Sequence, residues 1–282
     1  MTALLAVLSA LSSLGLFYLA GLYTEWYYYP LLIVFFVVLY WIAFLAIVLV
    51  SGAFGLFFSK KKDVKKPNAW FYWVTFKGII EVLRFLRVKV RVTGIEKLPE
   101  GTFVAVYNHR SFVDPFILMA KLPVKRIVMI SKPENERIPI VGKHMHYSGF
   151  MTIDRKSPMK ARKTVEKSAA WVREGIASVA VSPEGTRSKT AKLLPFRAAP
   201  FSTAKKAESS IVVTTMTNTE KAFRNFPWRK TVIDLHIVGV IPAEEVTSLC
   251  SFDLSYKVRE MMLDDLHEVD SFPPTKKEED TE

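Results

Sequence analysis

Along the chain, hydrophobic and polar positions fall into three regimes. Residues 3–23 and 31–58 are apolar runs without a single Asp, Glu, Lys or Arg. At ~1.5 Å of helical rise per residue, each approaches or exceeds the ~30 Å of a bilayer's hydrocarbon core. The turn between them, Thr24-Glu25-Trp26-Tyr27-Tyr28-Tyr29-Pro30, is crowded with aromatics of the kind that settle at a membrane interface. The pattern predicts a transmembrane helical hairpin over residues 1–58. Ser51-Gly52 and Gly55 allow its last turns to bend. A signal peptide is the rival reading of the first run, but no basic segment precedes that run and a second one follows it. Burial of both runs in a large soluble core is the other alternative. From Trp70 to Arg87, Lys77, Glu81 and Arg84 mark one narrow stripe of an otherwise apolar helix. Such a helix lies on a membrane or caps a core.

Beyond Val88 the period shortens. Runs rich in β-branched residues at 88–92, 103–107, 126–130, 150–153, 178–181, 211–215 and 232–240 predict strands. Helical patterns at 115–121, 138–146, 158–174 and 254–267 alternate with them, and Ser157, Pro158 and Gly175 bracket the third. The expected fold class is α/β: a mixed sheet flanked by helices, preceded by the hairpin and the amphipathic interfacial helix. The expected organisation is a hairpin at 1–58, a basic juxtamembrane segment and amphipathic helix at 59–87, a catalytic domain at 88–270 and a disordered tail at 271–282.

Charge sharpens this division. The 282 residues carry a net +12, yet residues 1–58 hold only Glu25 and residues 260–282 sum to −7. The middle, 59–259, therefore carries +20 from 37 basic and 17 acidic side chains. Such a body suits an anionic partner: membrane lipid, phosphorylated ligands or nucleic acid. No nucleic-acid module or interleaved basic–aromatic motif supports the last of these. Lys60-Lys61-Lys62 and Lys65-Lys66 follow the second run at once, whereas the hairpin turn has no Lys or Arg. The positive-inside rule then makes this an integral membrane protein with its body on the cytoplasmic face. A single cysteine, Cys250, excludes an intramolecular disulfide framework and a Cys-rich zinc site.

No G-x-S-x-G elbow, G-x-G-x-x-G turn or Walker loop occurs. His144 and His146, two apart without a nearby carboxylate, read as packing or surface residues, so no metal site is expected. Three segments remain. In Tyr107-Asn108-His109-Arg110-Ser111-Phe112-Val113-Asp114-Pro115 the spacing of five separates His109 and Asp114 on a regular helix or strand. They meet only if the chain turns, and a strand ending near Tyr107 followed by an Asp-Pro helix start supplies that turn. Asp114 would then hold one ring nitrogen of His109 and leave the other as a base. An N-cap aspartate near an unrelated histidine fits the same residues. Ser182-Pro183-Glu184-Gly185-Thr186-Arg187-Ser188 closes a strand, where α/β sheets place ligands, and Arg187 offers a fork suited to phosphate. A salt-bridged turn is the competing reading. Gly149-Phe150-Met151-Thr152-Ile153-Asp154-Arg155 is a further strand end that delivers a charged pair.

Together, in this order, the three segments resemble the glycerolipid (lysophospholipid) acyltransferase family, of the 1-acylglycerol-3-phosphate acyltransferase kind. That family carries Asn-His-x4-Asp, Gly-x-x-Phe-Ile-Asp-Arg-type and Pro-Glu-Gly-Thr-Arg blocks, and the likeness covers residues 85–220. The resemblance implies His109 and Asp114 as a general-base pair, with Arg155, Glu184, Gly185, Thr186 and Arg187 binding the acceptor. It also implies transfer from an acyl-CoA or acyl-acyl-carrier-protein thioester to a lysophospholipid, without cofactor or metal. The same chemistry on glycerol-3-phosphate or another lyso-lipid is the alternative acceptor, and a non-catalytic membrane lipid-binding protein the alternative class. Thr152 stands where the family has an aromatic residue. Ser210-Ile211-Val212-Val213-Thr214 lacks the family's prolines, and Phe196-Arg197-Ala198-Ala199 replaces Phe-Lys-x-Gly.

Overall fold

The computed structural model describes residues 2–54, 64–154, 157–190 and 192–269. Lys60-Lys61-Lys62, Arg155 and the 271–282 tail lie outside the described residues. The chain forms two compact units, one of Met1–Gly78 with Asn135–Ser148, the other of Ile79–Glu134 with Gly149–Glu282.

In the first unit, α1 (Thr2–Leu19) packs along α2 (Tyr29–Phe54), with Phe17 against Tyr29 at 5.5 Å between ring centroids. Leucine, valine and isoleucine side chains stand exposed on both helices. Apolar side chains facing outward along most of both helices suit a lipid solvent. Among the described residues, one stretch, Trp26–Ala53, is long and apolar enough to cross a membrane, by length and composition. The first apolar run forms a shorter helix: eighteen residues rise only ~27 Å. Next come α3 (Ala69–Phe85), whose first half belongs to this unit, then the second half of α5 (Pro133–Glu136) and all of α6 (Val141–Tyr147). Gly52 is needed at the end of α2, because a Cβ there would meet Ile140 Cγ2 at 2.3 Å. His144 Nε2 reaches the Val48 carbonyl at 3.1 Å and Ser51 Oγ at 3.2 Å, so this ring ties α6 to the last turns of α2. His146 Nδ1 bonds Glu136 Oε1 at 2.9 Å, a carboxylate ten residues upstream that local spacing did not reveal.

The second unit is a seven-stranded sheet in the order β1-β7-β6-β2-β5-β3-β4. The strands are β1 (Val88–Thr93), β2 (Val104–Tyr107), β3 (Ile127–Ser131), β4 (Met151–Thr152), β5 (Ser178–Val181), β6 (Ile211–Thr217) and β7 (Thr231–Ile241). Every neighbouring pair is parallel except β6–β7. Strands β2 and β5 are buried at every position and β6 at all but its last, the mark of central strands covered on both faces. Edge strand β1 instead alternates half-buried and exposed residues. The helices are α4 (Asp114–Lys121), α7 (Pro158–Arg173), α8 (Ser202–Ala207), α9 (Lys221–Asn225), α10 (Ala243–Ser248) and α11 (Ser251–Leu266). All seven expected strands and the long helices form. The short helices α5, α8, α9 and α10, of four to six residues, lie in stretches read as connections. Cys250 is exposed and caps α11, its sulfur accepting the Asp253 N–H at 3.4 Å.

Register fixes where the connections emerge. Tyr107 of β2 lies opposite Thr214 of β6, and Val106 opposite Val181 of β5. The segments after β2 and β5 therefore leave the sheet side by side at its carboxyl end, ~4.8 Å apart at the strand tips.

Candidate active site

Where β2 ends, Asn108 is buried and its amide bridges to the neighbouring strand. Nδ2 donates to the Met216 carbonyl at 2.9 Å, and Oδ1 accepts the Met216 N–H at 2.7 Å. This two-point bond fixes the residue before His109. The chain then turns, and His109 Nδ1 comes to 2.9 Å from Asp114 Oδ2. The side chain of Asp114 is 0% exposed and that of His109 is 22% exposed, so the carboxylate is dry while the ring opens outward. Asp114 is the first residue of α4 rather than its cap. Its Oδ2 turns back to accept the N–H groups of Arg110 and Ser111, both at 2.7 Å. A carboxylate oxygen that takes two backbone donors is an acceptor, so Nδ1 carries the proton and Nε2 keeps a lone pair.

Glu184, expected beside the acceptor, turns its oxygens to backbone N–H groups. It is buried, with Oε1 accepting the His109 N–H at 2.6 Å and Oε2 accepting the Leu194 N–H at 3.1 Å. Burial pushes its carboxyl up to about 7, opposed by these two N–H donors and by the Arg110 charge. The loop closes further through Ser188, whose N–H donates to the His109 carbonyl at 2.8 Å. Gly185 sits at φ +70°, the left-handed conformation this tight turn requires. Thr186 and Arg187 are exposed at its tip. The ring of Tyr107 stands edge-on to His109 at 5.9 Å; burial, then the charges of Asp114 and Glu184, push its phenol up and keep it neutral.

Sequence spacing did not single out Glu268, just past α11. One of its oxygens pairs with Arg110 Nη2, and the other accepts the Leu193 N–H at 2.8 Å. Two carboxylates thus bracket the site. Glu184 joins 109 to 194, and Glu268 joins 110 to 193. The Arg110 side chain is only 8% exposed, so its charge is matched inside the protein. No local signal links residue 268 to residue 110. Only the strand order, which brings the end of α11 to this end of the sheet, could reveal it.

Of the expected site residues, the structure brings His109 and Asp114 together where β2 turns into α4, and Glu184, Gly185, Thr186 and Arg187 onto the adjoining loop after β5. Strand β4 is parallel to β3, so its Asp154 end points the same way, two strands beyond β5. Arg155 lies outside the described residues. Among the described residues, no group of three or more His, Cys, Asp or Glu side chains is placed to hold a metal ion.

Fold and site define an α/β domain built around a carboxylate-held histidine. Residues 89–217 match the acyltransferase family. The chain is 28% identical over 206 residues to a 1-acyl-sn-glycerol-3-phosphate acyltransferase of Saccharomyces cerevisiae, covering 71% of this chain and 68% of that one. It is 34% identical over 135 residues to the chloroplastic 1-acyl-sn-glycerol-3-phosphate acyltransferase LPAT1 of Arabidopsis thaliana, covering 47% and 37% respectively. The crystal structure of the 1-acyl-sn-glycerophosphate (LPA) acyltransferase PlsC from Thermotoga maritima shares the fold. Its TM-score is 0.59 at 23% identity, over 83% of this chain and 95% of that one. The likeness to the acyltransferase family thus spans the two segments that hold His109, Asp114 and Glu184.

Proposed function

We propose that this chain transfers a fatty acyl group from a CoA or acyl-carrier-protein thioester to the free hydroxyl of a lysophospholipid, most simply 1-acylglycerol-3-phosphate, giving phosphatidate. The observation that carries the reading is the His109–Asp114 pair at 2.9 Å, with the carboxylate buried and the ring outward. Nε2 takes the hydroxyl proton as the acceptor oxygen attacks the thioester carbonyl carbon. The tetrahedral adduct collapses with cleavage of the C–S bond. The thiolate leaves and recovers the proton from the imidazolium, so the histidine ends as it began. Asp114 stabilises that imidazolium while it exists. General-base catalysis of this sort contributes ~10²–10⁴-fold, and holding the two substrates together supplies a further large share.

Exposed at the tip of its loop, Arg187 is the cation we assign to the acceptor phosphate, with Thr186 and the Gly185 backbone beside it and Arg155 as a second contributor. Glu184 serves this site through the backbone of His109. The anchor is the apolar α2, and the basic residues after it favour a body on the cytoplasmic face.

Purified full-length protein, given a defined acyl thioester and 1-acylglycerol-3-phosphate, should yield phosphatidate by mass spectrometry. His109→Ala should lose that product while remaining membrane-bound. Turnover retained in His109→Ala would refute the assignment of the base, and a different product from an acceptor panel would refute the acceptor.

A further inference from the structure

The connection between β6 and β7, residues 218–230, has no part in the chemistry above, yet its surface is unlike its surroundings. Trp228 is 86% exposed, and Phe223 is exposed as well. Around them Arg224, Arg229 and Lys230 also stand exposed, and residues 221–230 contain four basic side chains and no acidic one. A tryptophan left bare to water is costly, since burying so large an aromatic surface is worth a few kcal/mol. The segment is also held in place. Phe226 packs on Phe85 at the end of α3 with 4.7 Å between ring centroids and the rings tilted by 42°, and Arg87 Nη1 donates to the Pro227 carbonyl at 2.9 Å. Phe85 is itself exposed beyond that contact, as is Val82 one turn back.

Topology gives the patch its meaning. Strand β6 is parallel to β2, so the connection that follows it leaves the sheet at the same end as His109. Strand β7 returns antiparallel, with Asp234 opposite Thr217, and β1 runs parallel to β7 with Val88 opposite Thr231. The start of β1, and the end of α3 before it, therefore share that end too. Exposed aromatics ringed by cations, on the sheet end that holds the candidate base, match the interface of an anionic bilayer: indole at headgroup level, cations on lipid phosphates.

We propose that the 221–230 segment, led by Trp228 and flanked by Arg224, Arg229 and Lys230, is a second membrane contact that seats the His109 end of the sheet on an anionic lipid surface. The contact is separate from anchoring by α2 and does not depend on acyl transfer.

The test uses full-length protein in vesicles of phosphatidylcholine with phosphatidylglycerol, and in phosphatidylcholine alone, each with brominated acyl chains as quencher. The other tryptophans are subtracted by comparison with Trp228→Phe, a change at an exposed ring that leaves the fold in place. The Trp228 share of the emission should be blue-shifted and quenched by bromine in the anionic vesicles, and sheltered from aqueous acrylamide. Arg229→Gln with Lys230→Gln should lower the inserted fraction about 5-fold per charge, the equivalent of ~1 kcal/mol for each cation near an anionic surface. A Trp228 signal untouched by bromine and open to acrylamide would overturn the proposal. One sheltered from both quenchers would overturn it in favour of a protein partner. Because the readout is fluorescence, it stands or falls without reference to turnover.

Discussion

Replacing Asp114 by asparagine changes little in volume and much in chemistry, and its consequence can be worked from the geometry. Asparagine's one carbonyl oxygen can still take the Arg110 and Ser111 N–H groups now bonded at 2.7 Å, so the turn is retained. The same oxygen also faces Nδ1 of His109, so the ring tautomer is kept and the amide falls where Oδ1 now lies without a partner among the described residues. The charge is gone, and the imidazolium loses its counter-ion. Charges centred ~4 Å apart at an effective dielectric of ~20 attract by ~4 kcal/mol, and this buried pair has its contact at 2.9 Å. A loss of ~4 kcal/mol from the state in which the ring is protonated corresponds to about 10³ in kcat. The assay is thiol release from a defined thioester by purified wild type and Asp114→Asn, with thermal melting as the control for folding. The expected outcome is a fall of about 10³ in kcat with KM for the lysophospholipid within a few-fold. A variant within tenfold of wild type in kcat would refute the base pair, and so would a defect confined to KM.

Two further outcomes follow from the paired carboxylates. Glu268→Ala leaves the nearly buried Arg110 guanidinium without its partner, which costs about 3 kcal/mol where a buried pair is broken. It should lower the melting temperature and, assayed well below that temperature, lower kcat more than KM; unchanged kcat there would make the clamp purely structural. For Glu184, burial raises the carboxyl from 4.5 in the unfolded chain to about 7 in the fold. The folded protein then holds the proton more tightly, so the stability contributed is fully present below pH 4.5 and is lost as pH rises through 7. Wild type should therefore lose up to ~3 kcal/mol relative to Glu184→Gln between pH 4 and pH 8, read from paired melting curves. A constant difference across that range would show that the carboxyl does not titrate there.

Legibility in the sequence tracked how local each cause was. Period alone revealed the strands, because a buried strand such as Ser178–Val181 is a β-branched or small apolar run bounded by turn residues. It also revealed the apolar α2, and the turn that joins His109 to Asp114 followed from a strand end next to Asp-Pro. The shorter α1 shows the limit of counting apolar residues: Gly21 takes φ +68°, and the helix stops two residues before it. What escaped was produced by strand order. That Glu184 would spend both oxygens on backbone amides depends on β5 lying beside β2. That Glu268 would reach Arg110 depends on where α11 ends. The His146–Glu136 bond is intermediate: ten residues apart, across the break between α5 and α6.

The two kinds of information meet in the division of labour among charged groups. Functional motifs invite the reading that every charged member touches substrate, yet burial separates them. A buried carboxylate whose two oxygens face N–H groups is turned toward the protein rather than toward a ligand, and one that is dry beside a ring nitrogen acts through that ring. On this criterion the proposed function gives Glu184 and Glu268 positioning roles and Asp114 an orienting one, and leaves His109 with Arg187 to meet the substrate. The separation is physically sensible for a reaction in which one proton is passed and returned. A second ionised carboxylate free in the pocket would repel the acceptor's phosphate, whereas carboxylates committed to the backbone carry their charge into hydrogen bonds that hold the base still.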